Sequence, residues 1–592
     1  MATAPGAWDS ARVWGGAPQR IDISGTSNVT RPELSDRPVD QNATAETFEQ
    51  AVSLHRQGRV PAAETLYQEV LAQNPDHPGA LRQLGTLRLQ QGDFEDAMRL
   101  IRRALDGDPS SCEARVNLGV ALHALNRPAE ALEHFETAIA LEPERAEAHY
   151  NLGRALHKLK RMAEAGECYE RALALKPSYP GAHNNLGNVN LALDRPRQAM
   201  ACFEAALAIA PDHADAHSNL GIAFHALDRY DEALASYARA LAIRPDHADA
   251  HNNLGLALRD MNRHAEAIVC FERAQAVQPD MVDAQVNESL ARLALGDFDA
   301  GWKKYQWRLL TASFHRRKSP RPLWLGNWDI AGKTILLHGE QGLGDTLQFS
   351  RYVPLVARLG AQVILAVQRP LAPLLAGLAG VSVLRAQGDA IPPYDGYCPL
   401  PSLPLAFRTT VDTIPAEVPY IGVPADRAAK WRPVTEAIGR PRIGLMWAGN
   451  LAVPNRRRWI GLRHLLPLTQ MRDLHFVALQ RELPEGDAPL LATAQVPTFL
   501  GDHQADLADT AALIAGLDLV ITVDTAIAHL AGALGKPVWV LLPFSADWRW
   551  LRQRADSPWY PTARLFRQPA LGDWAGTVTQ VEAALRHLKS SG

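Results

Sequence analysis

Two stretches of the sequence carry residues whose types and order suit chemistry on an anion. The first is GEQGLGD (339–345), between the apolar run TILLH (334–338) and the helical pattern TLQFSRYVPLVARLG (346–360). Gly342 and Gly344 let the backbone approach a ligand closely, and the first N–H groups of a following helix lack partners within that helix. Asp345 closes the turn, placed either to face a ligand or to cap a helix starting at Thr346. The GxGxxG order of a dinucleotide-binding turn is absent. The second stretch is VDTAIAHLAGALGKP (523–537). A strand over 518–524 would end at Asp524 and a helix would begin at Thr525. The N–H groups of Thr525, Ala526 and Ile527 then point toward a phosphate. His529 is four residues past Thr525, on the same helix face. The plainer alternative has Asp524 as the cap and His529 packed beneath the sheet.

These turns need strands and helices to hold them. Beyond residue 333 short apolar runs alternate with helical stretches, the pattern of an α/β fold. Strands are expected at 334–338, 361–367, 442–449, 475–480, 518–524 and 537–542, with an irregular Pro-rich segment at 394–407. Two doubly wound halves would leave a cleft at the carboxyl ends of their strands, where such sheets bind ligands. The segment 545–568 is dense in Trp and Arg, able to stack a base or sugar or to pack against its neighbours. A closing helix is expected over 578–588.

The amino-terminal half is repetitive. Gly85, Gly119, Gly153, Gly187, Gly221 and Gly255 are spaced by 34 residues, and Pro75 to Pro279 and Ala97 to Ala267 keep the same step. This period and pattern resemble the tetratricopeptide repeat. Seven full repeats fit residues 42–279. A degenerate eighth, in which Ser289 replaces the glycine and GDFDAGWKKYQWRLL carries two tryptophans, either caps the stack or docks onto a neighbour. Asn117, Asn151, Asn185, Asn219, Asn253 and Asn287 form a ladder in register. An amide offers both donor and acceptor to a peptide bond, and Asn is also common at this position of the repeat. His149, His183, His217 and His251 form another ladder. Successive helices lie 8–10 Å apart, too far for one metal to join like positions, so these read as packing residues. Cys168, Cys202 and Cys270 read as small buried apolar groups.

With 61 Lys+Arg against 64 Asp+Glu and a net charge of −3, no basic excess marks a nucleic-acid binder. Five scattered cysteines exclude a disulfide scaffold, and no apolar run reaches the length of a membrane span. A cytoplasmic protein is expected. Residues 1–43 read as a disordered leader, 44–313 as the repeat superhelix, 314–332 as a linker or docking segment, 333–430 as a first α/β lobe and 431–592 as a second.

QGLGDTLQFSRY, PLPSLPLAF, RIGLMWAGN and VDTAIAHLAGALGKPVWVLL together resemble the bacterial tetratricopeptide-repeat glycosyltransferases. Their catalytic half is similar to glycosyltransferase family 9, the ADP-heptose:lipopolysaccharide heptosyltransferases. The resemblance implies an α-solenoid followed by a GT-B fold of two Rossmann-like lobes. It implies inverting transfer from a nucleotide sugar, which is a substrate, with no metal or other cofactor. It makes Asp345 the general base and places Gly342, Gly344, Asp524, Thr525, Ala526 and His529 at the donor. Arg456, Arg457 and Arg458 stand where relatives carry a lysine, and Arg458 aligns best; Val453, Pro454 and Trp459 depart from the family pattern. By likeness to the protein O-glycosyltransferases, Asn151, Asn185, Asn219 and Asn253 would hold an acceptor protein, with flagellin as one such acceptor. A lipopolysaccharide or other glycan acceptor is the alternative, and a non-catalytic scaffold that senses a nucleotide sugar is a third reading. On this view the half from about Ser319 binds the donor by itself.

Overall fold

The structure, a computed structural model, describes residues 41–311, 319–451, 458–499 and 506–590. The expected leader lies almost wholly outside these residues, as do Arg456 and Arg457. The chain divides into two compact units, one ending at Pro245 and one beginning at Asp246.

The first unit is a stack of helix pairs, from Gln41–Arg56 with Val60–Gln73 to Ala214–Ala226 with Tyr230–Ile243. The repeat glycine explains how tightly each pair closes. A Cβ at Gly119, Gly153 or Gly221 would meet the ring of Phe135, Tyr169 or Tyr237 at less than 3.0 Å. The aromatic ring therefore lies directly on the backbone of the partner helix, and both surfaces leave water. The turn inside each pair uses one left-handed residue in the same 34-residue register: Gly58, Gly92, Asn126, Lys160, Asp194 and Asp228. The His ladder closes the turns between repeats. Nε2–H of His149, His183 and His217 donates to the carbonyl of Pro143, Pro177 and Pro211 at 2.9, 3.0 and 2.9 Å.

The second unit begins with two more helix pairs. The last helix of these pairs, Phe298–Tyr305, has only eight residues. Trp302 and Tyr305 are buried in one core with Phe349, Trp548 and Trp559 of the α/β part. The rings of Trp302 and Trp548 meet edge to face with centroids 5.2 Å apart. The degenerate repeat is thus a docking element, and the boundary between the compact units falls two repeats before the expected end of the superhelix. The segment after it also docks. Leu323 bridges to Tyr397, Trp324 is buried, and Gly326 lies against the Ala406 carbonyl, where no Cβ would fit.

Two wholly parallel sheets follow. The first has the order β3-β2-β1-β4, from β1 (Thr334–His338), β2 (Gln362–Val367), β3 (Val381–Ala386) and β4 (Gly396–Pro399). The second has the order β6-β5-β7-β8-β9, from β5 (Arg442–Met446), β6 (His475–Ala478), β7 (Leu519–Val523), β8 (Val538–Leu542) and β9 (Ala563–Arg567). Sequence reading missed three edge strands, β3, β4 and β9. β4 lies inside the segment read as irregular; it is four residues long and ends in a proline that an edge tolerates. The helix expected over 346–360 starts earlier, as Leu343–Ser350, and breaks before Val353–Arg358, whose first turn holds Pro354. The expected lobe boundary at 430 falls inside the helix Ala425–Glu436. That helix is tied to the second sheet's side of the unit by Trp431, whose Nε1–H donates to Asp509 at 2.7 Å.

Candidate functional site

Parallel strands deliver their carboxyl-terminal loops to one side of a sheet, and three such loops meet here. β1 leads through Gly339–Gly342 into the helix Leu343–Ser350. β7 leads through Asp524 and Thr525 into the helix Ala526–Ala533. β8 leads into the loop holding Asp547 and Arg549. The first two helices lie against each other at Gly344. A Cβ there would come within 2.7 Å of His529 Cδ2 and 3.4 Å of Ala526 Cα. Gly344 thus sets the separation of the two sheets' contributions.

Asp345 is the third residue of its helix, and Gly342 occupies the cap position. Asp345 Oδ2 accepts the Gly342 N–H at 2.9 Å, while Oδ1 pairs with the Arg549 guanidinium. Arg549 also bonds Asp547 Oδ1 and Gln348 Oε1, each at 2.7 Å, and its guanidinium lies 4.5 Å over the Trp548 ring. Asp547 Oδ2 meets Arg458 at 3.2 Å, and Arg458 reaches Asp524 at 3.2 Å. Five charges therefore alternate in a largely buried line: Asp345, Arg549, Asp547, Arg458, Asp524.

Electrostatics follows from that order. Burial alone would raise the carboxyl of Asp547, but the Arg549 and Arg458 guanidiniums outweigh it and hold the group well below the usual carboxylate range. Asp524 pairs with Arg458, but burial outweighs that guanidinium and pushes its carboxyl up. Burial works against the charge on Arg549, yet Asp547 and Asp345 overcome it and keep this cation firmly protonated.

Thr525 caps the helix Ala526–Ala533, so Asp524 stands one residue before the cap. Thr525 Oγ1 accepts the Ile527 N–H at 3.3 Å. Ile527 is therefore already engaged, and the expectation that it presents a free N–H to a phosphate is corrected. His529 is buried. It stacks on Trp550 with centroids 5.6 Å apart, and its Nδ1 is 3.0 Å from Tyr560 Oη. Burial first, and then the positive Arg549, lower its imidazole to about 3. It is a neutral hydrogen-bonding group at physiological pH.

The terminal repeat reaches this site. Arg308 and Glu340 form an ion pair with both side chains under 5 % exposed (3% and 4%). Arg308 also donates to Ser402 Oγ at 2.7 Å and to the Tyr305 carbonyl at 3.0 Å. Burial raises the Glu340 carboxyl, and Arg308 opposes this. Tyr305 Oη lies 3.2 Å from Gln341 Oε1. The turn that carries Asp345 is held from below by the last repeat.

The asparagine ladder is half-buried and internally bonded. Asn185 Nδ2 donates to Tyr150 Oη at 3.3 Å, and Asn219 Nδ2 donates to Asn184 Oδ1 at 3.0 Å. Asn151 Nδ2 donates to the Glu147 carbonyl at 2.9 Å. Asn253, in the second unit, is buried, and its Nδ2 has no hydrogen-bond acceptor among the described residues. The five cysteines are all free thiols, and burial raises Cys168 to about 11. Among the described residues no three His, Cys, Asp or Glu side chains are grouped to hold a metal ion, and no helix is long and apolar enough to cross a membrane.

Sequence reasoning missed Asp547, Arg549 and the pair Arg308–Glu340. The density of Trp and Arg over 545–568 drew attention to the segment, but nothing in it revealed that Arg549 meets a residue 204 positions earlier.

Comparison with known proteins matches this arrangement in parts. Tetratricopeptide-repeat profiles match residues 48–111, 82–139, 116–180, 180–213 and 212–280. The profile of glycosyltransferase family 9 (heptosyltransferase) matches residues 503–543, which include β7, Asp524, Thr525 and His529. Over 327 residues the chain is 31% identical to Protein FlbA of Caulobacter vibrioides, a match covering 50% of this chain and 54% of that protein. The chain thus spans about half the length of this curated relative. Among solved structures, a thermophilic TPR protein of Thermus thermophilus is 29% identical, covering 31% of this chain and 100% of its own, with a TM-score of 0.28. Pseudomonas aeruginosa pilF is 25% identical over 35% of this chain and 95% of its own, with a TM-score of 0.32. The repeats and the family 9 match beyond them make the chain similar to tetratricopeptide-repeat glycosyltransferases.

Proposed function

We propose that this protein transfers a sugar from a nucleotide sugar to a hydroxyl of a protein acceptor, with inversion, in a GT-B arrangement of its two parallel sheets. The observation that carries the reading is the meeting of Asp345 from one sheet with Asp524, Thr525 and His529 from the other, across two guanidiniums. In the reaction the acceptor oxygen forms a bond to the anomeric carbon, and its proton passes to Asp345. The bond from that carbon to the diphosphate breaks, and its electron pair stays on the departing phosphate oxygen. Cationic Arg458 and Arg549 suit that growing charge in a water-poor site. This chemistry asks no metal of the protein. Neutral His529 would serve as a hydrogen-bonding partner near the donor. The repeats would hold the acceptor along their asparagine face, with flagellin the acceptor to which the family resemblance points. Free cysteines accord with a reducing, cytoplasmic setting.

Thermal-shift measurements with a panel of nucleotide sugars, followed by transfer assays with the stabilising donor, test the reading. Asp345→Asn should cut turnover by about 10²–10⁴-fold, the usual worth of a positioned base. Unchanged turnover in that variant would remove Asp345 from the role. A second reading, transfer to a glycan, draws on the heptosyltransferase description of the matching family; it gains ground if a protein lacking the first six repeats works equally well.

A further inference from the structure

Resting on that reading, we propose that Arg549 is a two-position residue: it blocks Asp345 while the donor is absent and moves onto the donor diphosphate when it binds. Four observations carry this. Both carboxylate oxygens of Asp345 are occupied, Oδ2 by the Gly342 N–H and Oδ1 by Arg549. A base that is to accept a hydroxyl proton must give up one of these partners. The backbone bond belongs to the first turn of its helix, so Arg549 is the exchangeable one.

Arg549 is also held independently of Asp345, by Asp547, by Gln348 and by the face of Trp548. It can exchange one partner without losing its place. Asp547 then grips a different guanidinium with each oxygen, Arg549 on Oδ1 and Arg458 on Oδ2. The two cations are thereby set side by side, a match for the two phosphoryl groups of a diphosphate, each taking a planar guanidinium fork.

The charge count favours the exchange. Among the described residues, three carboxylates face two guanidiniums along the line. An arriving diphosphate takes the place of Asp345 and Asp524 as the partner of Arg549 and Arg458. Asp345 Oδ1 is then released beside the acceptor oxygen. Donor binding would thus arm the base, and the donor-free enzyme would keep it paired.

The test is calorimetric titration of the full-length protein with inorganic pyrophosphate and with a set of nucleoside diphosphates. Arg549→Gln should weaken binding at least tenfold. Asp345→Asn should tighten it several-fold, because the competitor for Arg549 has lost its charge. A purely structural ion-pair line gives the opposite sign for Asp345→Asn, or no change, and either result overturns the proposal. Normal binding by Arg549→Gln also overturns it while leaving the donor-site reading intact. If Arg549→Gln fails to fold, the sign of the Asp345→Asn effect decides alone. Failure of every diphosphate to bind the unmodified protein would remove the donor-site reading and this proposal together.

Discussion

Replacing Arg308 by Met tests whether the terminal repeat supports the site. Arg308 and Glu340 are each almost fully buried, and Arg308 bonds to Glu340, to Ser402 and to the Tyr305 carbonyl and lies 4.5 Å over the Tyr305 ring. Methionine keeps much of the side-chain volume but leaves Glu340 as a buried, unpaired acid. Removing one partner of a buried pair is expected to destabilise by about 3–5 kcal/mol. Glu340 already has a raised carboxyl, so it takes up a proton in the variant, which brings the estimate toward the lower end. For a unit of this size the melting transition should fall by roughly 4–7 °C. The double variant R308M/E340Q removes the charge and should recover at least half of that loss. Differential scanning calorimetry on the full chain reads both. Because Glu340 and Gln341 belong to the turn that leads to Asp345, transfer activity of R308M should fall below that of the unmodified protein even well under its melting temperature. A loss below about 1 kcal/mol, or no recovery in the double variant, would refute the argument that this pair fastens the turn.

Three more outcomes are expected. A fragment starting at Ser319 lacks Trp302, Tyr305 and Arg308, so it should aggregate and bind no nucleotide, while one starting at Asp246 should stay soluble and bind the donor; light scattering and thermal shift separate them. This replaces the sequence-based expectation that the half from Ser319 binds the donor by itself. Gly221→Ala drives a methyl into the Tyr237 ring and should destabilise the first unit by about 1–3 kcal/mol, seen as a lowered first transition in calorimetry. His529 is held neutral, with its folded value lowered to about 3 from 6.5. Between those values the unfolded chain binds the extra proton, so stability falls as pH drops through this window. At pH 5 the loss from this group is about 2 kcal/mol, and His529→Gln should flatten the melting-temperature profile between pH 7 and 5.

What the sequence decided by itself is the local, periodic part. A 34-residue step of Gly, Ala and Pro requires helix pairs, because in most of them glycine lets the partner helix's large side chain lie on the backbone, as Phe203 lies on Gly187 and Ile101 on Gly85. Apolar runs likewise marked the inner strands β1, β2, β5, β7 and β8 and the edge strand β6, since a strand buried along nearly its whole length must be apolar throughout. The turns after β1 and β7 were legible because glycine and capping residues act within a few positions. The edge strands β3, β4 and β9 were not: β3 is half-exposed, and β4 and β9 are short runs interrupted by Gly and Pro or by Arg. Nor was the charge line. Arg549 finds Asp345, and Arg458 finds Asp547, only once two sheets and a loop have been brought together, and no spacing in the chain encodes a meeting across 204 residues. The same holds for the end of the superhelix. The degenerate repeat with its two tryptophans read as the cap of a stack or as a docking surface, and burial of Trp302 and Tyr305 with Phe349, Trp548 and Trp559 decided between them. Large aromatic surfaces leave water wherever the tertiary fold offers the matching face, and that face lies far away in sequence.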